Sequence, residues 1–234
     1  MSYDLWYWTG IPGRGEFVRL ALEAGGIPYR DRAREEGDAA MMADMARRNG
    51  QIPFAPPYLG AGELCIAQTA NILLFLGDRH LGPKDEAGRL FAQTLQLTIA
   101  DMVVEAHDVH HPVSPGLYYR DQQPEAARAA EAFRDARMPK YLGWFERVLA
   151  SSGGPWLLGG AWSYADLSLF QLLEGLAYAF PKRMATLAPD MPRVTAVRER
   201  VRALPELQAY LHSARRLPFN EDGLFRHYPE LDAA

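Results

Sequence analysis

The sequence predicts an α/β unit followed by an all-helical unit, and two observations lead to this fold class. Short strand-like and helix-like segments alternate over residues 1–80, whereas long helical periodicities dominate residues 87–234. Between them, residues 81–86 hold proline, glycine and charged side chains, a composition typical of a linker. We therefore expect a domain at 1–80, a linker at 81–86 and a helical domain with an irregular tail at 87–234.

The first part of the α/β unit is predicted as strand, helix, extended segment and helix. Residues 3–9 are short and rich in aromatic side chains, which favours a strand. A helix follows from Glu16, with apolar positions suited to packing on a sheet, and the Gly-Gly pair at 25–26 ends it. Residues 27–29 then begin a second extended segment, and residues 39–48 have the composition of a short helix.

The second part of this unit contains a predicted β-hairpin. Residues 56–59 (PPYL) cannot be helical, because proline lacks an N–H and restricts the residue before it. A Gly-Ala-Gly turn leads to residues 63–67 (ELCIA), which provide the returning strand. Gln68 and Thr69 then open a helix, and Thr69 is its predicted N-cap.

The helical unit is predicted from apolar positions at mixed three- and four-residue spacings. Ser163 and Asp166 have the spacing of a capping box immediately before an apolar run. The tail at 215–234 shows little periodicity. The remaining pattern predicts helices over residues 86–111, 125–151, 193–204 and 205–214.

The composition is that of a soluble globular protein and excludes several function classes. Hydrophobic residues make up 48% of the chain and charged residues 23%, so a sizeable core can form. The net charge of −4 argues against an extended nucleic-acid footprint, and the apolar runs are too short to cross a membrane. The chain does not begin with a basic, apolar leader, and Cys65 is its single cysteine, so we expect a cytoplasmic location.

Five short motifs, taken in their order and spacing, resemble the glutathione transferases over nearly the whole chain. They are Tyr-Trp at 7–8, Gly-Arg-Gly-Glu at 13–16, Pro-Pro-Tyr-Leu at 56–59, Gln-Thr-Ala-Asn-Ile at 68–72 and the capping box at 163–166. The resemblance implies a thioredoxin-like, glutathione-binding domain followed by the family's helical domain. It also implies a tyrosine-type enzyme with mu- or sigma-like motifs.

The resemblance implies that Tyr7 is the catalytic residue. A phenol O–H donated to the glutathione sulfur favours the thiolate and lowers the pKa of the thiol. A decrease of about two pKa units requires about 2.7 kcal/mol, which one charge-assisted hydrogen bond and a nearby helix N-terminus can supply. The thiolate would then attack a hydrophobic electrophile. By position alone, Tyr7 could equally be a core tyrosine on a strand.

The resemblance also implies a set of glutathione contacts. The peptide bond before Pro57 is expected to be cis, with the backbone of Pro56 beside the cysteinyl part of glutathione. The helix N-terminus at Gln68 and Thr69 would bind the γ-glutamyl carboxylate through its free N–H groups. The other expected contacts are Trp8, Arg14 and one cation of the pair Arg47 and Arg48, of which Arg48 is preferred. An acid on the first long helix is expected to reach the glutathione of the partner subunit; the candidates are Asp101, Glu105 and Asp108, and Asp108 is preferred.

Aromatic side chains in the second half of the chain are candidates for the electrophile pocket. Tyr118, Tyr119 and Phe219 suit apolar ligands, although core or interface packing is an equally available role.

A metal site is not expected. His107, His110 and His111 share a helical spacing, but the HEXXH pattern and a distant ligand set are missing. Cys65 lies in a predicted strand and is expected to be a small packed residue. Glutathione would serve as co-substrate, with no cofactor.

The leading hypothesis is therefore a cytosolic, homodimeric glutathione transferase active in detoxification. Its partners would be glutathione and a small hydrophobic electrophile, with neither nucleic acid nor membrane involved. The same thiolate could instead serve isomerisation or peroxide reduction. A third hypothesis is a non-catalytic protein of this fold that binds ligands or acts as an adaptor.

Overall fold

The computed structural model describes residues 2–233, in which four short strands form one mixed sheet. The strands are β1 (Tyr3–Trp6), β2 (Tyr29–Asp31), β3 (Tyr58–Ala61) and β4 (Leu64–Ala67). Their order is β2-β1-β3-β4; β1 is parallel to β2 and antiparallel to β3, and β3 and β4 form the predicted hairpin. The first strand is shorter than predicted, so Tyr7 follows the strand directly instead of lying within it.

Helices cover both faces of this sheet. The first four are α1 (Gly15–Ala24), α2 (Arg32–Glu36), α3 (Asp38–Arg47) and α4 (Thr69–Leu76). α1 and α4 pack on the face that continues into the main hydrophobic core. On the other face, Trp6 and Tyr58 pack with Ala33 of α2 and Met41 of α3. α2 was not predicted, because its five residues RAREE carry a single buried side chain.

The second half of the chain is helical, as predicted. α8 is its centre, because nearly all of its side chains are buried and it contacts α1, α5, α9 and α10. The helices are α5 (Glu86–Asp108), α6 (Gln123–Ala132), α7 (Met138–Ser151), α8 (Tyr164–Ala179), α9 (Pro181–Leu187), α10 (Pro192–Arg202) and α11 (Pro205–Leu211). The predicted α/β unit followed by helices is confirmed, whereas the boundaries 1–80, 81–86 and 87–234 stay a prediction.

The helix predicted over 125–151 is divided. α6 and α7 are joined by a π-helical turn at Phe133–Arg137, immediately before Pro139 on α7. Proline has no N–H to donate to the carbonyl four residues earlier, so the regular α-helical hydrogen bonding is interrupted there. No helix among the described residues has the length and apolar composition needed to cross a membrane.

The predicted capping box at the start of α8 is confirmed. The Asp166 carboxylate accepts the backbone N–H of Ser163 at 2.9 Å and its hydroxyl at 3.0 Å, and it accepts the N–H of Leu157 at 2.8 Å. Asp166 is fully buried, so these hydrogen bonds replace the water that the carboxylate loses.

The irregular tail after α11 is anchored at several points. The side-chain amide of Asn220 donates to the Gly10 carbonyl at 2.9 Å, in the loop that follows β1. Near the other end, the Asp232 carboxylate accepts the backbone N–H groups of Lys182 and Arg183 at 2.9 and 3.2 Å, which caps α9. The tail therefore runs from the α/β unit across the helical unit.

Candidate active site

A cavity of about 660 Å³ lies between the sheet unit and the first long helix. One wall is formed by the N-terminus of α1, the loop before β3 and the N-terminus of α4, and the other by α5. The cavity brings together five of the predicted site residues, namely Arg14, Pro56, Pro57, Gln68 and Thr69.

The loop before β3 contributes a cis peptide bond to this cavity. The bond joins Pro56 and Pro57 and is cis, as predicted. Because neither proline has an N–H, backbone pairing with an extended ligand at these two residues depends on their carbonyl oxygens. Phe54, two residues earlier, is 93% exposed at the rim of the cavity.

The N-terminus of α4 is uncapped and opens into the cavity. α4 begins at Thr69, so Gln68 is the N-cap and the prediction of Thr69 as N-cap was wrong. Gln68 has φ 70°, a left-handed conformation that non-glycine residues rarely adopt, and its side chain makes no capping hydrogen bond. The Thr69 hydroxyl oxygen is buried without a partner among residues 2–233. Free N–H groups and this hydroxyl are suited to binding a carboxylate.

Arg14 provides a positive charge in the same cavity. It lies at the N-cap position of α1 and lines the cavity wall. Within residues 2–233, its guanidinium forms neither an ion pair nor a hydrogen bond. It is therefore available to an anionic ligand.

Tyr7 lies beneath the loop that leads into α1. Its hydroxyl oxygen accepts the backbone N–H of Arg14 at 2.8 Å. A Cβ atom at Gly13 would lie 2.1 Å from this oxygen, and one at Gly15 would lie 2.5 Å from the ring, so both positions require glycine. Tyr7 is only 3% exposed and does not line the cavity. The Tyr7 hydroxyl thus points toward the start of α1, and the loop at 13–15 packs against the Tyr7 side chain.

The Tyr7 phenol is protonated at neutral pH. Burial raises its pKa above the ordinary value of 10.0, although the N–H and charge of Arg14 and the charge of Arg19 oppose this effect. The Arg19 guanidinium lies 5.8 Å from the centre of the Tyr7 ring. No acceptor for the phenol proton is found among residues 2–233. The hydroxyl therefore retains a proton that it can donate to a ligand.

The α5 wall of the cavity was missed by the sequence analysis. Leu97, Val103 and Val104 give it apolar surface, and Gln93 and Gln96 give it polar atoms. Gln96 is buried, and its Oε1 atom has no hydrogen-bond partner in the described part of the chain. A glutamine within the otherwise apolar, core-facing stripe of α5 was a signal that could have identified this wall.

Three predicted glutathione contacts lie outside the cavity lining. Trp8 packs against the smaller core cluster behind the sheet. Arg48 pairs with Asp44 at 2.7 Å and lies 5.0 Å from the Tyr58 ring centre. Asp108 is the exposed last residue of α5. Their roles in binding stay predictions.

The predicted electrophile-site aromatics are also placed away from this cavity. Tyr118 is exposed, with the Arg120 guanidinium 4.8 Å from its ring centre. Tyr119 is buried, stacks on Tyr228 with ring centres 3.8 Å apart and donates to Glu230 at 2.8 Å. Their assignment to the pocket stays a prediction.

Phe219, the third predicted aromatic, lies in the tail. Its ring stacks on that of Tyr178 with centres 5.2 Å apart and meets Phe225 edge-on. It does not line the cavity, and its role in substrate binding stays a prediction.

A cluster of three histidines lies beyond the cavity, at the C-terminal end of α5. The nitrogen atoms that His107, His110 and His111 offer lie within 4.8 Å of one another. Burial lowers the pKa of all three side chains, that of His110 to about 3. The three imidazoles are therefore uncharged at neutral pH.

Comparison with known proteins agrees with this architecture. Residues 107–214 match the family model for the C-terminal domain of glutathione S-transferases. Glutathione S-transferase A3 of Mus musculus is 27% identical over 215 residues, which cover 89% of each chain. Glutathione S-transferase A2 of Homo sapiens is 25% identical over 224 residues, covering 93% of each chain.

Solved structures show the same fold. A Pi-class glutathione S-transferase of Onchocerca volvulus aligns with a TM-score of 0.72 at 23% identity, covering 95% of this chain and 99% of that one. Prostaglandin synthase D of Nilaparvata lugens also aligns with a TM-score of 0.72, at 19% identity, covering 93% of this chain and 100% of that one. The protein is thus similar to the glutathione S-transferases and has their two-domain architecture with a thioredoxin-like first domain. The mu- or sigma-like subclass stays a prediction.

Proposed function

We propose that this relative of the glutathione S-transferases is a glutathione transferase that activates the thiol at the N-terminus of α1. One observation carries the proposal: an unpaired Arg14 and the uncapped N-terminus of α4 line the same 660 Å³ cavity. Glutathione has a carboxylate at each end, so it matches a cavity with two separate sites of positive potential.

The γ-glutamyl carboxylate is assigned to the start of α4. Free backbone N–H groups are available there, and the unpartnered Thr69 hydroxyl can add one more donor. Gln68 lies beside them with its side chain exposed. The cysteinyl part would then extend along the carbonyl oxygens of Pro56 and Pro57 toward α1.

The thiol is assigned to the start of α1. There the Tyr7 phenol can donate its proton, and its acceptor bond from the Arg14 N–H makes it a better donor. The Arg14 guanidinium and the helix N-terminus add positive potential, which further favours the thiolate. Gly13 and Gly15 cover the Tyr7 side chain. The glutathione sulfur would therefore contact the Tyr7 hydroxyl only at the edge of the loop that contains these glycines.

The electrophile is assigned to the α5 wall. Leu97, Val103 and Val104 provide apolar surface opposite the polar glutathione wall, so an apolar substrate would be held beside the thiolate. Isomerisation and peroxide reduction are the alternative reactions, and both would use the same glutathione thiolate.

A homodimer is proposed from an apolar stripe on α5. Leu90, Leu97 and Val104 repeat every seven residues and are 64%, 50% and 46% exposed. Two of these residues also line the cavity, so a partner covering the stripe would close the open side of the site. We expect Leu90→Glu, outside the cavity, to convert a dimer into a monomer in light scattering after size exclusion. An unchanged dimer would place the interface elsewhere.

The thiolate assignment is tested by titration. Ultraviolet thiolate absorbance of bound glutathione is followed against pH for the wild-type protein, Tyr7→Phe and the control Tyr3→Phe. We expect a depressed thiol pKa in the wild type and the control, and a return toward about 8.5 in Tyr7→Phe. If the pKa of the glutathione thiol is lowered equally in all three proteins, Arg14 or the backbone N–H groups at the start of α1 would stabilise the thiolate instead of Tyr7.

The glutathione site itself is tested by binding. Arg14→Gln is expected to weaken glutathione binding about 10-fold or more, because a charge-assisted hydrogen bond is lost. Arg128→Gln is the matched control, since this exposed arginine of α6 does not line the cavity. Equal affinities would remove Arg14 from the site.

The burial of Tyr7 favours one alternative, a non-catalytic ligand-binding protein. In that case glutathione would bind without turnover, and Tyr7→Phe would change neither the affinity nor the thiol pKa. If glutathione did not bind at all, an adaptor role would be favoured.

A further inference from the structure

Three imidazole rings converge where α5 ends and the chain turns away. The ring centres of His107 and His110 and those of His107 and His111 are 5.0 Å apart, and those of His110 and His111 are 4.7 Å apart. Their candidate ligand nitrogens all lie within 4.8 Å of one another. In tetrahedral coordination at about 2.0–2.1 Å, ligand nitrogens are about 3.4 Å apart, so modest side-chain rotation closes the set around one ion.

Each ring has one nitrogen hydrogen-bonded to an acceptor outside the cluster. His107 Nδ1 lies 3.3 Å from Asp108 Oδ1, and His111 Nδ1 lies 3.0 Å from the Leu117 carbonyl oxygen. His110 Nε2 lies 3.1 Å from a backbone carbonyl in the tail, that of Leu224. With the proton of each ring on the nitrogen that faces these acceptors, the lone pair is on the other nitrogen; at His111, Nδ1 also lies 3.5 Å from the Gln122 side-chain amide nitrogen. Metal-bound histidines typically have this pattern of outer hydrogen bonds.

The second nitrogen of His110 is a further sign of a ligand site. His110 is 3% exposed, and its Nδ1 atom is buried without a hydrogen-bond partner in the described part of the chain. Leaving such an acceptor unpaired costs free energy, whereas an ion at the centre of the cluster would satisfy it. His107 is only partly buried, so the cluster is accessible from its side.

The charges around the cluster are mixed. The guanidinium groups of Arg14 and Arg226 lie close enough to disfavour further positive charge on the rings, and the Asp108 carboxylate acts in the opposite sense. Three imidazole nitrogens do not supply the several carboxylate or carbonyl oxygens that a hard cation such as Ca²⁺ or Mg²⁺ needs. Neutral imidazole ligands suit Zn²⁺ and its neighbours in the first transition series.

We propose that His107, His110 and His111 form a binding site for one Zn²⁺-class ion, with the fourth position open to water or an exogenous ligand. The ion would bind the three imidazoles at the end of α5. His111 is in turn hydrogen-bonded to the Leu117 carbonyl in the 112–118 segment, and His110 to the Leu224 carbonyl in the tail, so the ion would stabilise the contact between these segments. This site is separate from the thiol chemistry proposed above. Its test does not depend on glutathione.

The test uses untagged full-length protein from which metal has been removed with a chelator. Equilibrium dialysis against Zn²⁺ is expected to give one ion per chain, and Co²⁺ is expected to give the visible absorption bands of a four-coordinate site. Zn²⁺ is also expected to raise the thermal midpoint, because ligand binding to the folded state stabilises it. His107→Gln and His111→Gln should each weaken Zn²⁺ binding at least about 10-fold.

Two variants serve as controls. His212→Gln alters an exposed histidine that directly follows α11, and Cys65→Ser removes the single thiol. Both are expected to bind Zn²⁺ as the wild type does. Binding that is absent, or weak and non-stoichiometric, would overturn the proposal. Equal Zn²⁺ binding by the wild type and by His107→Gln would also overturn the proposal. His107 is the most accessible of the three rings, and circular dichroism checks that this variant is folded.

Discussion

Two buried carboxylates hold this protein together in different ways. Asp166 accepts hydrogen bonds from Leu157 and Ser163, within nine residues of itself in the chain. Glu16, equally buried, accepts from the Tyr210 hydroxyl at 2.6 Å and from Arg216 at 2.5 Å, which are 194 and 200 residues away. The first arrangement stabilises one helix start, whereas the second joins the α/β unit to the end of the helical unit.

The Glu16 network also reaches the neighbourhood of Tyr7. Arg19 lies 3.6 Å from the second Glu16 oxygen and pairs with Asp31 at 2.6 Å, while its guanidinium faces the Tyr7 ring. Arg216 donates in addition to Gln171 of α8 at 2.9 Å. The Glu16 carboxylate is thus contacted by Arg19 of α1, by the Tyr210 hydroxyl of α11 and by Arg216 of the tail, and this network fixes the position of α1 and with it the start of the candidate site.

Among variants of the Glu16 network and the Asp166 capping box, the largest loss of stability is expected for Glu16→Ala. This change leaves the buried Arg19 and the partly buried Arg216 with less compensating charge, so the free energy of unfolding should fall by about 4 kcal/mol. Urea unfolding measures the loss. Glu16→Gln, which keeps the shape, is the control and should lose less. Equal losses in both variants would show that charge is not what matters here.

A somewhat smaller effect is expected for Asp166→Ala. It leaves two buried backbone N–H groups without an acceptor, and the free energy of unfolding should fall by about 3 kcal/mol. The matched control is Asp85→Ala, because Asp85 caps the exposed start of α5 through Gly88 at 2.8 Å. That control should cost about 1 kcal/mol. Equal costs would mean that burial adds nothing to this cap.

The pH dependence distinguishes Asp166 further. Burial raises its pKa to about 6, although its hydrogen bonds to Leu157 and Ser163 oppose the shift. Because the folded-state pKa is above the unfolded value, the contribution to stability is full below about pH 4 and is lost as pH rises through 6.

This dependence is measured against Asp166→Asn, which cannot titrate. The unfolding free energy of the wild type minus that of the variant should fall by roughly 2–3 kcal/mol between pH 4 and pH 7. A constant difference across this range would indicate that the hydrogen bonds fully offset burial.

The smallest effect is expected for Tyr210→Phe, which removes one neutral donor to Glu16. The expected loss is about 1 kcal/mol, since Arg216 still binds the carboxylate. In a double-mutant cycle with Glu16→Gln, the two changes should be non-additive, because they share one hydrogen bond. Additive losses would show that this contact does not couple α11 to α1.

Sequence and structure agree best where the determinants are local. The hairpin was predicted from residues 56–67, and the capping box from Ser163 and Asp166, because turn chemistry and helix capping act within a few residues. Of the candidate site, the motifs around Arg14, the two prolines and Gln68 were identified through the resemblance to the glutathione transferases, and the structure brings these segments to one cavity.

Predictions were weaker where a role depends on which segments meet. Of the proposed electrophile-pocket aromatics, Tyr119 and Phe219 stack on Tyr228 and Tyr178, and Tyr118 is exposed. None of them lines the cavity, and their role in substrate binding stays a prediction. Gln96 was overlooked, because a polar residue on a helix acquires meaning only when the opposite wall of the cavity is known.

The sequence by itself determined the succession of strands and helices and the start of α8, whereas the cis peptide bond before Pro57 was expected from the resemblance to the glutathione transferases. Each depends on the steric and hydrogen-bonding properties of a few neighbouring residues. Only the tertiary structure decided that Glu16 meets Tyr210, that Tyr7 lies beneath the start of α1, and that His110 and His111 meet backbone carbonyls of the tail and of the 112–118 segment. These contacts join distant parts of the chain, and chain packing as a whole fixes them.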